Sequence, residues 1–204
     1  MKDLEEIKYY FENKSYLVRG EFINEYDFND PYKEYYKNFI IHLEDIKDHL
    51  YLSDLIDLSS WMEFYEIEIR RKWFEYLEKP SHFIVRLAVL DYFKHCSKKL
   101  LFRNYEQVLL TLLNQRLSSV VRNQILVNLI VLRSRNQNMY MDQLFSSLAR
   151  TNDWRSIYRT INNFNEVDAL KELKDKAIAY IVELHEQKDY GEGVSTLLKG
   201  FNKE

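Results

Sequence analysis

Residues 83–90 read FIVRLAVL, and residues 119–126 read SVVRNQIL. Each stretch carries a Val-Arg pair within an apolar run, and the two pairs, Val85-Arg86 and Val121-Arg122, are 36 residues apart. A weaker copy, Trp154-Arg155, follows after a further 33 residues. This regular recurrence predicts that one structural unit is used several times along the chain.

The segments between these pairs have the spacing of amphipathic helices. Apolar residues recur three and four positions apart at about 105–117 and again at about 140–150. Two helices in each unit, with a period in the thirties, are typical of an α-solenoid, in which helix pairs stack on their neighbours. The predicted fold class is therefore all-α, a solenoid-like stack of antiparallel helix pairs.

The scarcity of glycine supports helices over sheets. The chain of 204 residues has four glycines and two prolines, and three of the glycines lie in the last 14 residues. The tight turns of sheet proteins depend on glycine for positive φ angles. Gly20 alone could not supply the turns of a sheet across the first 190 residues.

Two tetrapeptides resemble the start of the second helix in HEAT-type repeats, where a Val-Arg pair precedes small and apolar residues. They are Val85-Arg86-Leu87-Ala88 and Val121-Arg122-Asn123-Gln124. The third unit departs from this pattern because Trp154 stands in place of valine. The resemblance covers about residues 80–165, and it implies a HEAT-like array with room for degenerate units on either side.

The chain is predicted to form a single helical domain, 1–204, with three segments. Residues 1–79 are acidic N-terminal helices, residues 80–165 are the HEAT-like repeats, and residues 166–204 are C-terminal capping helices. A cap with a polar outer side closes the end of a repeat array.

Within the N-terminal segment, apolar spacing predicts a short helix over residues 2–12. A second helix is predicted to begin at Asp30-Pro31 and to carry its apolar stripe as far as Leu50. A third is predicted from about Ser53 to Glu78, with residues 52–58 as an alternative separate turn.

Charge is distributed unevenly along the chain. Residues 1–80 carry a net charge of −8, residues 81–165 carry +8, and residues 166–204 carry −3. Opposite excesses in neighbouring segments can produce a local field at either one. The alternative is that the segments neutralise each other or are balanced by solvent.

Acidic and aromatic residues are interleaved between residues 45 and 78. Two of the aromatics, Trp61 and Phe64, lie off the apolar stripe of their predicted helix, so we expect them to be exposed. Exposed aromatics give a large contact area at low entropic cost, and carboxylates attract a basic partner. The alternative is an ordinary solvated helix face. The predicted partner-binding residues are Asp54, Asp57, Trp61, Glu63, Phe64 and Glu68.

The repeated arginines predict a basic surface that could follow a phosphate backbone. Its core members are Arg86, Arg122, Arg155 and Arg159, and further cations are Lys94, Lys98, Lys99, Arg103, Arg116, Arg133, Arg135 and Arg150. The alternative is an inner ladder, in which each arginine pairs with an acid or with a helix C-terminus of its neighbour. HEAT-like alkylpurine DNA glycosylases bind DNA through such a surface. This chain lacks their overall basic charge and shows no recognisable catalytic set, so that activity is not carried over.

Few patterns favour catalysis or metal binding. His42 and His49, on one predicted helix, would lie about 10 Å apart, too far to share a zinc ion. A cysteine nucleophile would need Cys96 and a distant histidine such as His82. The chain has neither a phosphate-binding glycine loop nor a nucleophile elbow. We therefore expect no enzyme activity, no cofactor and no metal, although a dispersed acid pair would leave no local signature.

These patterns together predict a non-enzymatic protein-binding module. Small helical proteins that are rich in Asn, Lys and Tyr and carry acidic patches resemble immunity proteins of bacterial contact-dependent inhibition. That resemblance implies an immunity or antitoxin protein that neutralises a cognate toxin domain by direct binding. The alternative is a nucleic-acid-binding HEAT-like protein that uses the basic 81–165 region.

The compartment is predicted from three further features. The chain has a single cysteine, an acidic start without an apolar signal core, and no apolar run of membrane-spanning length. We expect a cytoplasmic bacterial protein with no membrane partner. The oligomeric state and the face that is used stay open.

Overall fold

The structure, a computed structural model, describes residues 33–43, 46–132, 136–167 and 170–201, without the side chains of residues 171, 172 and 201. The described residues form ten α-helices and one 3₁₀ turn, and they contain no strand. The prediction of an all-α fold is confirmed. The helix predicted over residues 2–12 and the predicted start at Asp30-Pro31 lie outside the described residues.

The helices alternate with short connections along the whole described chain. Every second helix begins at a similar distance from the one before, at residues 49, 83, 119, 154 and 192. The 3₁₀ turn, Lys98–Leu100, lies between the helix that ends at His95 and the helix that begins at Tyr105. In order, the helices are α1 (Lys33–Ile41), α2 (His49–Trp61), α3 (Ile67–Glu78), α4 (Phe83–His95), α5 (Tyr105–Leu113), α6 (Ser119–Val131), α7 (Gln137–Arg150), α8 (Trp154–Glu166), α9 (Lys171–Lys188) and α10 (Glu192–Phe201).

The chain divides into two compact units, Met1–Tyr92 and Phe93–Glu204. In the first unit, α1 packs against α3. In the second unit, α6 contacts α5, α7 and α8, and α8 also contacts α9 and α10. The sequence-based segments that end at residues 79 and 165 followed changes in composition and charge, whereas these units are defined by packing.

Each unit has its own apolar core. In the first unit, Tyr51, Trp73 and Tyr92 are fully buried. In the second unit, every residue of α6 from 123 to 130 is buried. A helix that is buried on all sides is a central element, which explains why α6 has three helical neighbours.

The helix predicted to extend to Leu50 is shorter than expected. α1 ends at Ile41, and a new helix, α2, begins at His49. The Asp48 carboxylate accepts hydrogen bonds from the backbone N–H groups of Leu50 (3.0 Å) and Tyr51 (3.1 Å), which is a helix N-cap. The prediction of one continuous helix is wrong, because the apolar spacing continued across the connection between two helices.

The helix predicted from Ser53 to Glu78 is likewise two helices. α2 ends at Trp61, α3 begins at Ile67, and Glu63 between them has a φ of +56°. A positive φ is uncommon for any residue except glycine, and it cannot continue a right-handed helix. Residues 52–58, the alternative turn, lie inside α2. The apolar spacing did not reveal this break because the buried residues of α2 and α3 follow one another at helical intervals across it.

None of the described helices combines the length and the apolar character that are needed to cross a bilayer.

Candidate functional site

One side of α2 carries an apolar, an aromatic and two acidic side chains. Leu50, Asp54, Asp57 and Trp61 follow one another at intervals of four, three and four positions, so they lie on one side of the helix. Trp61 is 72% exposed and Leu50 is 44% exposed. Asp57 is exposed and Asp54 is half-buried. We call these four residues the α2 face.

The buried side of α2 determines which way this face points. Leu55, Ile56 and Ser59 are buried. The Ser59 hydroxyl donates a hydrogen bond to the Leu55 carbonyl at 2.8 Å, so this polar group is satisfied within the helix. With that side in the core and Asp48 capping the first turn, the α2 face is held on a regular helix.

Of the two predicted aromatic anchors, one is exposed and one is not. The expectation that Trp61 is exposed is confirmed, but Phe64 is buried, with 1% of its surface exposed, so its expected exposure was wrong. The turn at Glu63 takes Phe64 out of the helical register of α2. Its ring then lies in the core, and its carbonyl accepts a hydrogen bond from Tyr92 Oη at 2.5 Å.

The two remaining predicted acidic residues, Glu63 and Glu68, are exposed. Glu63 follows Trp61 by two positions in the turn, and Glu68 lies in the first turn of α3. Asp45, in the same acidic stretch, lies outside the described residues.

The repeated arginines of the second unit occupy different environments. Arg122 Nη1 donates to the Leu113 carbonyl at the end of α5 (3.1 Å), as the alternative of an inner ladder predicted for this residue. Arg159 Nε donates to Gln124 Oε1 (3.1 Å). Arg155 is exposed, and its guanidinium lies 5.1 Å from the Trp154 ring centroid.

Arg86, in the first unit, is only partly exposed. Its buried Nε has no hydrogen-bond partner among the described residues. Burial lowers the pKa of the Arg86 guanidinium from its usual value. The guanidinium still carries its charge at neutral pH, but part of it is withdrawn from solvent.

Lys94, predicted as a cation of the basic surface, is buried, with 4% of its surface exposed. Its ammonium donates to Asn163 Oδ1 at 2.7 Å and pairs with Glu166 Oε2 at 3.2 Å. Asn163 Nδ2 in turn donates to Gln124 Oε1 at 2.9 Å. This lysine therefore belongs to the packing of the second unit and not to its surface. Arg133 and Arg135 lie outside the described residues.

A groove in the second unit lies beside α6 and α7 and has a volume of about 510 Å³. Two guanidinium groups, four hydroxyl groups and one amide line it, and none of the described residues that line it is acidic. We call it the arginine groove. Its lining residues are Leu117, Ser119, Arg122, Gln143, Ser146, Ser147, Arg150 and Thr151.

The amphipathic pattern of α7 produces one wall of this groove. Gln143, Ser146, Ser147 and Arg150 follow one another at intervals of three, one and three positions, so they share one side of the helix. The other side of α7 is buried through residues 140, 141, 144, 145 and 148. The packing of α7 therefore places its polar side in the groove.

The histidines do not form the arrangement that was considered from the sequence. His42 follows the end of α1, with its Nδ1 2.8 Å from the Asn38 carbonyl oxygen, whereas His49 begins α2. The expectation that both lie on one helix was wrong. The ring of His49 stacks on His82 with centroids 4.5 Å apart. Within the described part of the chain, no three His, Cys, Asp or Glu residues are grouped so that they could hold a metal ion.

Sequence reasoning missed Leu50 on the α2 face and most of the groove lining. Leu50 was assigned to an apolar core stripe because the helix break before Asp48 was not recognised. The polar spacing of residues 143, 146, 147 and 150 was a usable signal for one wall. The opposite wall depends on how α6 packs beside α7, which no local pattern records.

Comparison of the chain with protein-family models, with curated proteins and with solved structures returned no match. What the chain does is therefore inferred from the chemistry of these two surfaces.

Proposed function

We propose that this chain is a non-enzymatic protein-binding module that docks a basic protein partner on the α2 face. The observation that carries the proposal is the 72% exposure of Trp61 on a regular helix that also presents Asp57. Tryptophan is the residue type most often found to dominate binding energy at interfaces. Neighbouring carboxylates attract a basic partner and orient its approach.

Within this class, we propose an immunity or antitoxin protein whose partner is a toxin domain. The support is charge: residues 1–80 carry a net charge of −8, and the α2 face belongs to this segment. A toxin that cleaves nucleic acid needs a basic surface to hold phosphates. An acidic face with an aromatic anchor is suited to cover such a surface.

We also propose that the second unit is a HEAT-like stack of helix pairs. Two packing features support this: α6 contacts α8, and α8 contacts α10, so alternate helices lie side by side. The similar intervals between the starts of the even-numbered helices agree with one repeated unit. Such stacks provide broad, rigid surfaces for macromolecular partners.

Nucleic-acid binding through the basic 81–165 region has less support. Arg122 and Arg159 are hydrogen-bonded within the second unit, and Lys94 is buried there. Extended binding along a phosphate backbone needs several cations that are free to leave their intramolecular partners. Arg155 is the exposed member of the four predicted arginines.

The protein-binding proposal is tested by co-expression with any toxin that a gene adjoining this one encodes. We expect Trp61→Ala and Asp57→Lys to abolish protection of the cell. We also expect Trp61→Ala to weaken binding of the purified toxin domain by about thirtyfold or more, the effect of losing an interface hot spot. Trp154→Ala and Asp142→Lys are matched controls, since both residues are exposed and lie in the second unit.

Three results would contradict the proposal. Absence of both protection and binding at physiological salt for the wild-type chain would remove the immunity function. An equal loss in the two control variants would show that binding does not use the α2 face. Unchanged binding in Trp61→Ala and Asp57→Lys would place the docking surface elsewhere.

A further inference from the structure

We infer that the arginine groove binds the phosphate group of a small organic molecule. The groove belongs to the second unit, and the inference is independent of the function proposed for the α2 face. It rests on the donors that converge there, on the way they are held, and on the size of the groove.

The donors in the groove match an oxyanion with several oxygens. Arg122 and Arg150 contribute guanidinium groups from two different helices, and Ser119, Ser146 and Ser147 contribute hydroxyl groups. Guanidinium groups bind carboxylate and phosphate oxygens through paired, charge-assisted hydrogen bonds. A single carboxylate has two oxygens, fewer than these donors can serve, whereas a phosphate monoester has three free oxygens.

Within the described lining of the groove, no acidic side chain neutralises the charge of the two arginines. Arg122 donates to the neutral Leu113 carbonyl and not to a carboxylate. Arg150 is exposed in the last turn of α7. The groove therefore keeps a positive potential that an anion would lower.

One of the two arginines is oriented before any ligand arrives. The hydrogen bond from Arg122 Nη1 to Leu113 (3.1 Å) orients a guanidinium that has four further N–H groups. Gln143, Ser147 and Arg150 project from one side of α7, whose opposite side is packed in the core. Packing therefore fixes the backbone of these donors, and binding has to order only their side chains.

The size of the groove suits a small molecule better than a bare ion. Its volume of about 510 Å³ lies in the ordinary range of small-molecule sites and exceeds what a phosphate group fills. The Ser119 hydroxyl lies 3.3 Å from that of Ser156, so the first turn of α8 adjoins the groove.

The test is calorimetric titration of the full chain with adenosine monophosphate, adenosine, inorganic phosphate and acetate. We expect the monophosphate to bind, inorganic phosphate to bind more weakly, and adenosine and acetate not to bind. Arg150→Gln should weaken binding of the monophosphate about tenfold or more, since it removes charge-assisted hydrogen bonds. Arg103→Gln, at an exposed arginine of the same unit outside the groove, should leave the affinity unchanged.

Arg150 is the decisive position because its side chain is exposed, whereas Arg122 also bonds to Leu113. A thermal melt of each variant tests whether it remains folded. The inference is overturned if neither monophosphate nor inorganic phosphate binds at millimolar concentration, or if Arg103→Gln weakens binding as much as Arg150→Gln. Binding of a short single-stranded oligonucleotide without binding of the monophosphate would also overturn it, in favour of nucleic-acid recognition. Loss of toxin protection in Trp61→Ala has no bearing on any of these outcomes.

Discussion

Asn123 is a buried amide without a hydrogen-bond partner among the described residues. Its side chain is 3% exposed, and neither Nδ2 nor Oδ1 is bonded. A buried polar group without a partner costs about 1–3 kcal/mol. Asn128, five residues further along α6, is also buried, but both of its amide atoms are hydrogen-bonded. Tyr105 Oη donates to its Oδ1 at 2.8 Å, and its Nδ2 donates to the Gln124 carbonyl at 2.9 Å.

These two asparagines make a matched pair for a stability measurement. We expect Asn123→Leu to raise the free energy of unfolding by about 1 kcal/mol or more, because an unpaired amide is replaced by an apolar group of similar volume. Asn128→Leu should lower it by a similar amount, because the Tyr105 hydroxyl loses its acceptor. Urea denaturation at neutral pH measures both. A loss of stability in Asn123→Leu would show that this amide has a partner in solution.

At the scale of elements, the C-terminal end of α1 is closed by a side chain from α3. The Lys72 ammonium donates to the carbonyls of Ile40 (2.9 Å), Ile41 (3.1 Å) and Leu43 (2.5 Å). An ammonium has three N–H groups, and all three find acceptors here. A positive charge also interacts favourably with the negative end of the helix dipole.

We therefore expect Lys72→Met to lower the free energy of unfolding by about 1–3 kcal/mol, since methionine keeps the apolar stem and leaves three carbonyls without their donor. Amide hydrogen exchange should accelerate in α1 before it does in α3. The control is Lys79→Met, which removes an exposed pair with Glu75 (2.7 Å) that is worth about 0.3–0.5 kcal/mol. Equal effects of the two changes would contradict the capping role.

The helix boundaries in the first unit were only partly predictable from the sequence. The Asp48 cap was readable in the sequence, but an unbroken apolar spacing from α1 to Leu50 outweighed it. The break at Glu63 had no glycine or proline to signal it, although Glu63 has a positive φ and Met62 and Phe64 on either side of it are buried. Periodicity therefore identified these segments as helical but missed the two breaks between the helices.

At the scale of the whole molecule, buried polar groups join helices that are distant in the chain. In the second unit, Lys94 reaches across 69 residues to Asn163 and 72 residues to Glu166. Asn163 then bonds to Gln124, so three helices contribute to one network. Each of these side chains is bonded to another member of the network. The loss of one group would therefore remove a hydrogen bond from its buried partners.

We expect Lys94→Met to lower the free energy of unfolding by about 2–3 kcal/mol. Removing one partner of a buried ion pair costs about 3–5 kcal/mol, and the solvent around Glu166, whose side chain is 53% exposed, reduces that figure. Lys99→Met, at an exposed lysine of the same unit, should change stability little. Thermal and urea denaturation of the full chain give the comparison, and no difference between the two variants would refute a structural role for Lys94.

By itself, the sequence determined the all-α class and the exposure of Trp61. These properties depend on neighbours within a few positions, which a periodic pattern records directly. The tertiary structure alone decided that Phe64 and Lys94 are buried, and that Arg122 and Arg150 line one groove. Each of those outcomes depends on side chains from separate helices, and their free energy comes from burial and hydrogen bonding that exist only after the helices have packed.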